Sequence, residues 1–136
     1  MMTVKEIAER SRVSPGAIRH YSRLGLLRPT RNRRNGYQQY GDSDLAHVRF
    51  IRQAQSLGYT LNEIRQIIEE SRKGKSPCPI ARKIIGSRIN ENRRALDKLI
   101  RLQTQMEKAL VKWSKMPDRV PDGHSVCYLI ESTGEP

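Results

Sequence analysis

The stretch VSPGAIRHYSRLGLLRPTRNRRNGYQQY, residues 13–40, decides the fold. Ser14 is suited to cap a helix, and Pro15 then takes the first helical position, where its missing N–H costs nothing. Gly25 suits the left-handed residue just past a helix end. Upstream, TVKEIAER (3–10) carries Val4, Ile7 and Ala8 at helical spacing. Two short helices with a tight turn between them form a helix-turn-helix. Downstream, extended Leu-Leu-Arg-Pro leads to an Asn35-Gly36 turn signal and then to Tyr-Gln-Gln-Tyr, which alternates between two faces. This predicts a two-stranded ribbon, a wing.

Two further helices follow. DSDLAHVRFIRQAQSLG (42–58) starts with Asp42 or Ser43 as cap, carries Leu45, Val48, Ile51 and Leu57 on one stripe, and stops at Gly58. Thr60 and Glu63 then form a capping box, and Leu61, Ile64, Ile67 and Ile68 make the inner face of the next helix. KGKSPCPI (73–80) breaks the chain with Gly and Pro. Beyond it Ile85, Ile89, Asn92, Leu96, Leu99, Gln103, Met106, Leu110 and Trp113 recur at alternating steps of four and three. A long helix cannot bury so narrow a stripe against itself, so it requires a partner helix, and such length in a small chain argues for a homodimer. Asn92 and Gln103 interrupt the seam, either to fix register or as tolerated polar residues. The expected organisation is a head at 1–72, a hinge at 73–77, a dimerisation helix at 78–115 and a C-terminal loop and tail at 116–136.

Charge narrows the function. Lys and Arg number 26 against 14 Asp and Glu, a net +12, which makes a polyanion the natural partner. Between Glu9 and Asp42 there is no acidic residue, while Arg10, Arg12, Arg19, Arg23, Arg28, Arg31, Arg33 and Arg34 fall there. A basic run is often only a solvated face. Here Tyr21, Tyr37, Tyr40 and ordered turn signals interleave with it, as in a folded nucleic-acid surface. No apolar run approaches the ~20 residues of a membrane span. The charged, amphipathic N-terminus is unlike a secretory signal. A cytoplasmic protein is expected, with Cys78 and Cys127 as thiols rather than a disulfide framework. Enzyme chemistry finds no support: there is no Gly-rich phosphate loop, no nucleophile–base motif, and the three histidines are scattered.

The segments AIRHYSRLGLL, RNRRNGYQQY and FIRQAQSLGYTLNEIRQI, in this order, resemble the mercury-resistance regulator (MerR) family of bacterial transcription factors. The resemblance covers residues 3–70. Ala17, His20, Ser22 and Gln38 stand where the family usually has Thr, Tyr, Glu and Arg, departures expected to alter operator preference rather than fold. The implied fold is dominated by α-helix: a winged helix-turn-helix head with a small two-stranded wing, then a long antiparallel coiled-coil dimerisation helix. The second helix is expected in the major groove of double-stranded promoter DNA. Ser14, Arg19, His20, Tyr21 and Arg23 are its candidate contacts, arginine suiting guanine edges and Tyr or His suiting phosphates. Arg31, Arg33, Arg34, Asn35 and Tyr37 on the wing would sit over the flanking backbone, although Tyr37 reads equally as a core aromatic bracing the wing.

The resemblance also implies a mechanism. A homodimer on palindromic DNA bends and untwists an overlong promoter spacer when an effector binds, so that RNA polymerase holoenzyme is engaged indirectly, through the promoter. Deformation of this kind costs on the order of 1–6 kcal/mol. In the metal-sensing branches a cysteine stands where Cys78 does, and another precedes a short apolar helix, as Cys127 does. The middle cysteine of those branches is absent, and Trp113 stands near its place. Cys78 and Cys127 with His124, and Asp122 as a poor fourth, would suit zinc or another soft or divalent ion. Three alternatives stay open. Trp113 and Tyr128 line a pocket for an organic effector, the thiols react with electrophiles or oxidants, or the cysteines are structural. A nucleoid-structuring DNA protein is the rival of a different class.

Overall fold

The structure, a computed structural model, describes residues 1–133. Six helices and one short hairpin follow in the order α1 (Val4–Ser11), α2 (Pro15–Arg23), β1 (Thr30–Arg31), β2 (Gln38–Gln39), α3 (Asp42–Ser56), α4 (Leu61–Arg72), α5 (Cys78–Trp113) and α6 (Tyr128–Glu131). The contacts divide into two units, Met1–Arg88 and Ile89 onward.

Local chemistry sets the boundaries in the first unit. Thr3 caps α1 in a reciprocal box with Glu6, and Ser14 Oγ accepts the Ala17 N–H at 3.0 Å to open α2. Gly25, at φ 78°, supplies the left-handed residue after α2. Thr60 and Glu63 cap α4 reciprocally, at 3.2 and 2.9 Å. The cap of α3 differs from expectation. Gly41 is its N-cap, and the buried Asp44 accepts both the Gly41 N–H and the Arg28 N–H, at 3.0 Å each. Asp44 works better than Asp42 or Ser43 because one carboxylate both starts α3 and ties down the strand leading into the wing.

Ile7, Ile18, Leu26, Leu27, Val48, Ile51 and Ile64 make one core with Tyr40, all at 1% exposure or less. Tyr40 joins the wing to this core: its hydroxyl lies 2.8 Å from Ser22 Oγ on α2 and donates to Gln38 Oε1 at 3.0 Å. Its backbone pairs in both directions with Met2. On α3 the stripe ends at Ala54, which is buried, whereas Leu57 is 64% exposed. Leu57 is the C-cap, where the helix has already left the angle that would turn it inward.

The first unit does not end at the Lys73–Pro77 link. Tyr59 Oη donates to the Ala81 carbonyl at 2.7 Å, and Arg88 reaches back with Nη2 at 2.7 Å from both Glu63 oxygens and Nη1 at 2.6 Å from the Gly58 carbonyl. The first three turns of α5 therefore belong to the head. At ~1.5 Å per residue the 36-residue α5 is about 54 Å long, and none of its residues is buried. The second unit ends in a loop and the single turn α6. Residues 134–136 of the expected tail lie outside the described residues. No helix among the described residues is long and apolar enough to cross a membrane.

Candidate nucleic-acid interface

Recognition by a helix requires a free N-terminal half and an outer face without internal partners. Both are present on α2, where Arg19, His20 and Arg23 are exposed and no ion pair among the described residues engages them. Ser14 is exposed but spends its hydroxyl on the cap. Tyr21 is not on that face. It is 6% exposed within the core, and burial pushes its phenol up, against a smaller downward pull from Arg52. The helical repeat explains the correction: Tyr21 lies three residues after Ile18, on the inner stripe.

The wing presents the reverse case. Tyr37 is 71% exposed, so the aromatic that braces the wing is Tyr40 and Tyr37 is free at the tip. The tip is built by polar side chains closing on their own backbone. Asn32 Oδ1 accepts the Arg34 N–H at 2.8 Å and Asn35 Oδ1 accepts the Tyr37 N–H at 3.0 Å, with Gly36 at φ 72°. Asn35 thus spends one acceptor site of its carboxamide oxygen on the turn and keeps its NH2 for a ligand. Arg31, Arg33 and Arg34 all project into solvent from this hairpin.

A cleft joins the two elements, lined by Lys5, Pro15, Arg19, Gly36, Tyr37 and Gln38. It brings Arg19 and Tyr37 together and adds Lys5 from the first turn of α1, a residue sequence reasoning missed. Its only sequence signal is a basic side chain in the first turn of the helix, beside the capping Thr3 and Glu6. A second basic depression lies between the end of α1 and α3, lined by Arg10, Arg12, Arg49, Arg52 and Gln53. Arg52 also donates to the Ser11 carbonyl at 3.0 Å, bracing the turn before α2. Arg72 clamps the start of the wing segment through the Gly25 and Leu26 carbonyls, at 2.8 and 3.0 Å. Beside it His47 is held below its ordinary pKa, first by burial, then by Arg72, with Asp44 opposing and Arg28 adding. Unpaired guanidinium groups around a capped helix and a free wing tip can take up phosphate oxygens and, from α2, base edges.

The expected effector residues are divided between the two units. Cys78 is exposed at the start of α5 in the first unit, its N–H donating to Ser76 Oγ at 3.3 Å. Cys127, half-buried, is the N-cap of α6 in the second. His124 is exposed, and its N–H goes to Asp122 Oδ1 at 2.9 Å, the contact that chiefly holds the Asp122 carboxyl low. Tyr128 donates to the Pro117 carbonyl and stacks under Arg119, 4.5 Å from its ring centre. Trp113 is half-buried, its Nε1 sealed without a hydrogen-bond partner among the described residues. No group of three His, Cys, Asp or Glu among these residues could hold a metal ion. Of the expected dimer stripe, Ile85 is half-buried, whereas Ile89, Leu96, Leu99, Met106 and Leu110 are exposed.

The family described as "MerR HTH family regulatory protein" matches residues 2–71, and "MerR, DNA binding" matches residues 45–111. The chain belongs to the MerR family. It is therefore a DNA-binding transcriptional regulator and not an enzyme. Among relatives of this MerR-type regulator, the HTH-type transcriptional regulator HmrR of Rhizobium leguminosarum bv. viciae is 30% identical over 109 residues, 80% of this chain and 81% of that one. The mercuric resistance operon regulatory protein of Bacillus cereus is 25% identical over 131 residues, 95% of this chain and 94% of that one. A transcription regulator from Ralstonia metallidurans, solved in complex with lead(II), shares the fold at a TM-score of 0.78 and 20% identity, over 98% of this chain and all of that one.

Proposed function

We propose that this regulator acts as a homodimer on palindromic promoter DNA in the cytoplasm, and activates transcription by distorting an overlong spacer in response to a signal read by Cys78 and Cys127. The observation that carries the DNA part is the cleft in which Arg19 of the capped α2, Tyr37 of the free wing tip and Lys5 of α1 share one surface. Arg19, His20 and Arg23 enter the major groove, and the wing arginines with Lys5 lie on phosphates. Polymerase is affected through the shape of the promoter.

For the signal, two thiols and one imidazole in the chain favour a soft or divalent metal, zinc among them. We place that site across two copies, with Cys78 of one and Cys127 and His124 of the other, because an antiparallel pair of long helices sets the start of one beside the end of its partner. Two-fold symmetry gives two such sites per dimer. Relatives named as mercuric and heavy-metal regulators are in keeping with that ligand class.

Footprinting on the region upstream of its own gene tests the DNA reading. A two-half-site protection is expected, and protection no narrower than on random DNA identifies a nucleoid-structuring protein instead. Native mass spectrometry with a small metal panel tests the signal. Two ions per dimer are expected, lost in Cys78→Ser and in Cys127→Ser. Retained stoichiometry in either variant rejects the cross-copy site and leaves an organic or thiol-reactive effector.

A further inference from the structure

The depression between the end of α1 and α3 gathers four guanidinium groups, Arg10 and Arg12 from one side and Arg49 and Arg52 from the other, and no acidic side chain lines it. Steps of three and four along α3 put Arg49, Arg52, Gln53 and Ser56 on one outward stripe. Arg52 is fixed in place, because its Nη1 donates to the Ser11 carbonyl at 3.0 Å. Arg10, Arg12 and Arg49 are exposed, and their side chains make no hydrogen bond or ion pair among the described residues. Like charges so placed repel one another, and no internal contact of those three offsets it.

Arg12 adds backbone strain. At φ 59° and ψ 41° it is the one non-glycine residue in the left-handed region among the described residues. There its Cβ crowds the neighbouring carbonyl, and a glycine would end α1 without that strain. The fold makes no use of the side chain, since the cap bonds to the Ala8 and Glu9 carbonyls come from the Arg12 backbone N–H.

We propose that this depression is a second phosphate site for the DNA backbone, across the groove from the wing. It rests on the DNA reading given above and adds a set of contacts that the resemblance does not assign. Lys5, in the cleft with Tyr37, and Arg12, in the depression, stand at the two ends of α1. Their separation along the chain corresponds to a helical rise of about 10 Å, close to the ~12 Å width of a major groove. Ser14, the cap of α2, follows just after Arg12, so α2 starts between the two basic sites. With α2 in the groove, phosphates of one strand meet Lys5 and the wing, and those of the other meet Arg10, Arg12 and Arg49. Guanidinium forks suit phosphate oxygens. No aromatic side chain lines the depression to stack a base, so it holds backbone without reading sequence.

The test uses the full chain and two duplexes of equal length, one carrying the site protected in the footprint and one of random sequence. Both are titrated by fluorescence anisotropy over a range of salt. Arg12→Gly should weaken both duplexes alike, several-fold, and lower the salt slope by about one per copy. Its urea midpoint should stay level or rise, because the left-handed strain is relieved. Arg49→Gln should give the same loss from α3. Arg101→Gln removes an exposed charge from α5 outside the first unit and should leave the slope unchanged. A slope unchanged in both depression variants would overturn the proposal and leave the depression to an acidic protein partner. An equal fall in Arg101→Gln would overturn it in favour of net charge. Tripolyphosphate binding that is lost in Arg12→Gly while DNA affinity stays intact would assign the site to a soluble polyphosphate and overturn it as well. A wild type that binds neither duplex would instead remove the DNA reading on which it rests.

Discussion

Arg88→Met removes the fork that holds the first turns of α5 to the α3–α4 turn while keeping an apolar stem of similar reach. Two charge-assisted bonds at 2.7 Å and one at 2.6 Å to the Gly58 carbonyl are lost. Charged hydrogen bonds contribute about 1.5–3 kcal/mol each when well sheltered. Here the Arg88 and Glu63 side chains keep 27% and 22% of their surface, and water screens part of that value. Glu63 also keeps its Thr60 cap after the arginine is gone, so no bare buried charge remains. The expected loss is about 1–2 kcal/mol, or about 0.5–1 M in the urea midpoint for a slope near 2 kcal/mol per M. A pH arm isolates the pair. The Glu63 carboxyl is held below its ordinary 4.5 first by the Thr60 backbone N–H, with burial opposing and Arg88 adding to the lowering. A carboxylate depressed in the folded state contributes stability above its unfolded pKa and loses it as pH falls through the folded one. The part of the gap that comes from the Glu63 pair should therefore be full at pH 7 and shrink as pH falls below 4.5, while the Gly58 bond keeps its share, read by urea titration followed by circular dichroism. A gap of less than about 0.3 kcal/mol at pH 7, or one that does not shrink at all on acidification, would refute the assignment of the clamp to this pair.

Arg19→Ala should weaken operator binding by about 1–3 kcal/mol and relax base preference; an unchanged specificity ratio in a binding-site selection would move Arg19 to phosphate contact. Tyr37→Ala should lower affinity for operator and random DNA alike without moving the urea midpoint, since the side chain is 71% exposed; a large stability loss would make it a bracing residue after all. Leu99→Ala, at a seam position 60% exposed in one copy, should weaken the dimer at least about 30-fold, taking about 1 kcal/mol per copy. Sedimentation equilibrium reads this, and an unchanged constant would place the seam elsewhere. His47 favours its neutral form in the fold, so the unfolded chain takes up more protons as pH falls below 6.5 and stability declines on acidification. His47→Gln should flatten that decline between pH 7 and 5, and an identical slope would locate the titration in another group.

Several features were legible from short-range rules. Ser14 with Pro15, Thr60 with Glu63, and Gly25 satisfy local backbone needs, and each sits where the cap or turn residue was expected. The stripe on α5 needs only its own spacing. Local rules failed where two candidates compete for one buried place. Tyr21 and Tyr37 are both tyrosines in a basic stretch, yet one is core and the other is at the wing tip. The choice depends on which way α2 and the hairpin face once packed together. Asp44 outranks Asp42 and Ser43 as the start of α3 because the Arg28 N–H arrives from sixteen residues away.

By itself, then, the sequence determined the elements, the basic stretch from Arg10 to Arg34 and the heptad line, because capping, turn chemistry and periodicity act within a few residues. Tertiary structure alone decided that Lys5 joins Arg19 and Tyr37 in one cleft, and that the head runs on to Arg88 rather than ending before Lys73. Both depend on side chains that meet across long stretches of chain, Glu63 with Arg88 and the start of α1 with the wing, and no spacing rule records such a meeting.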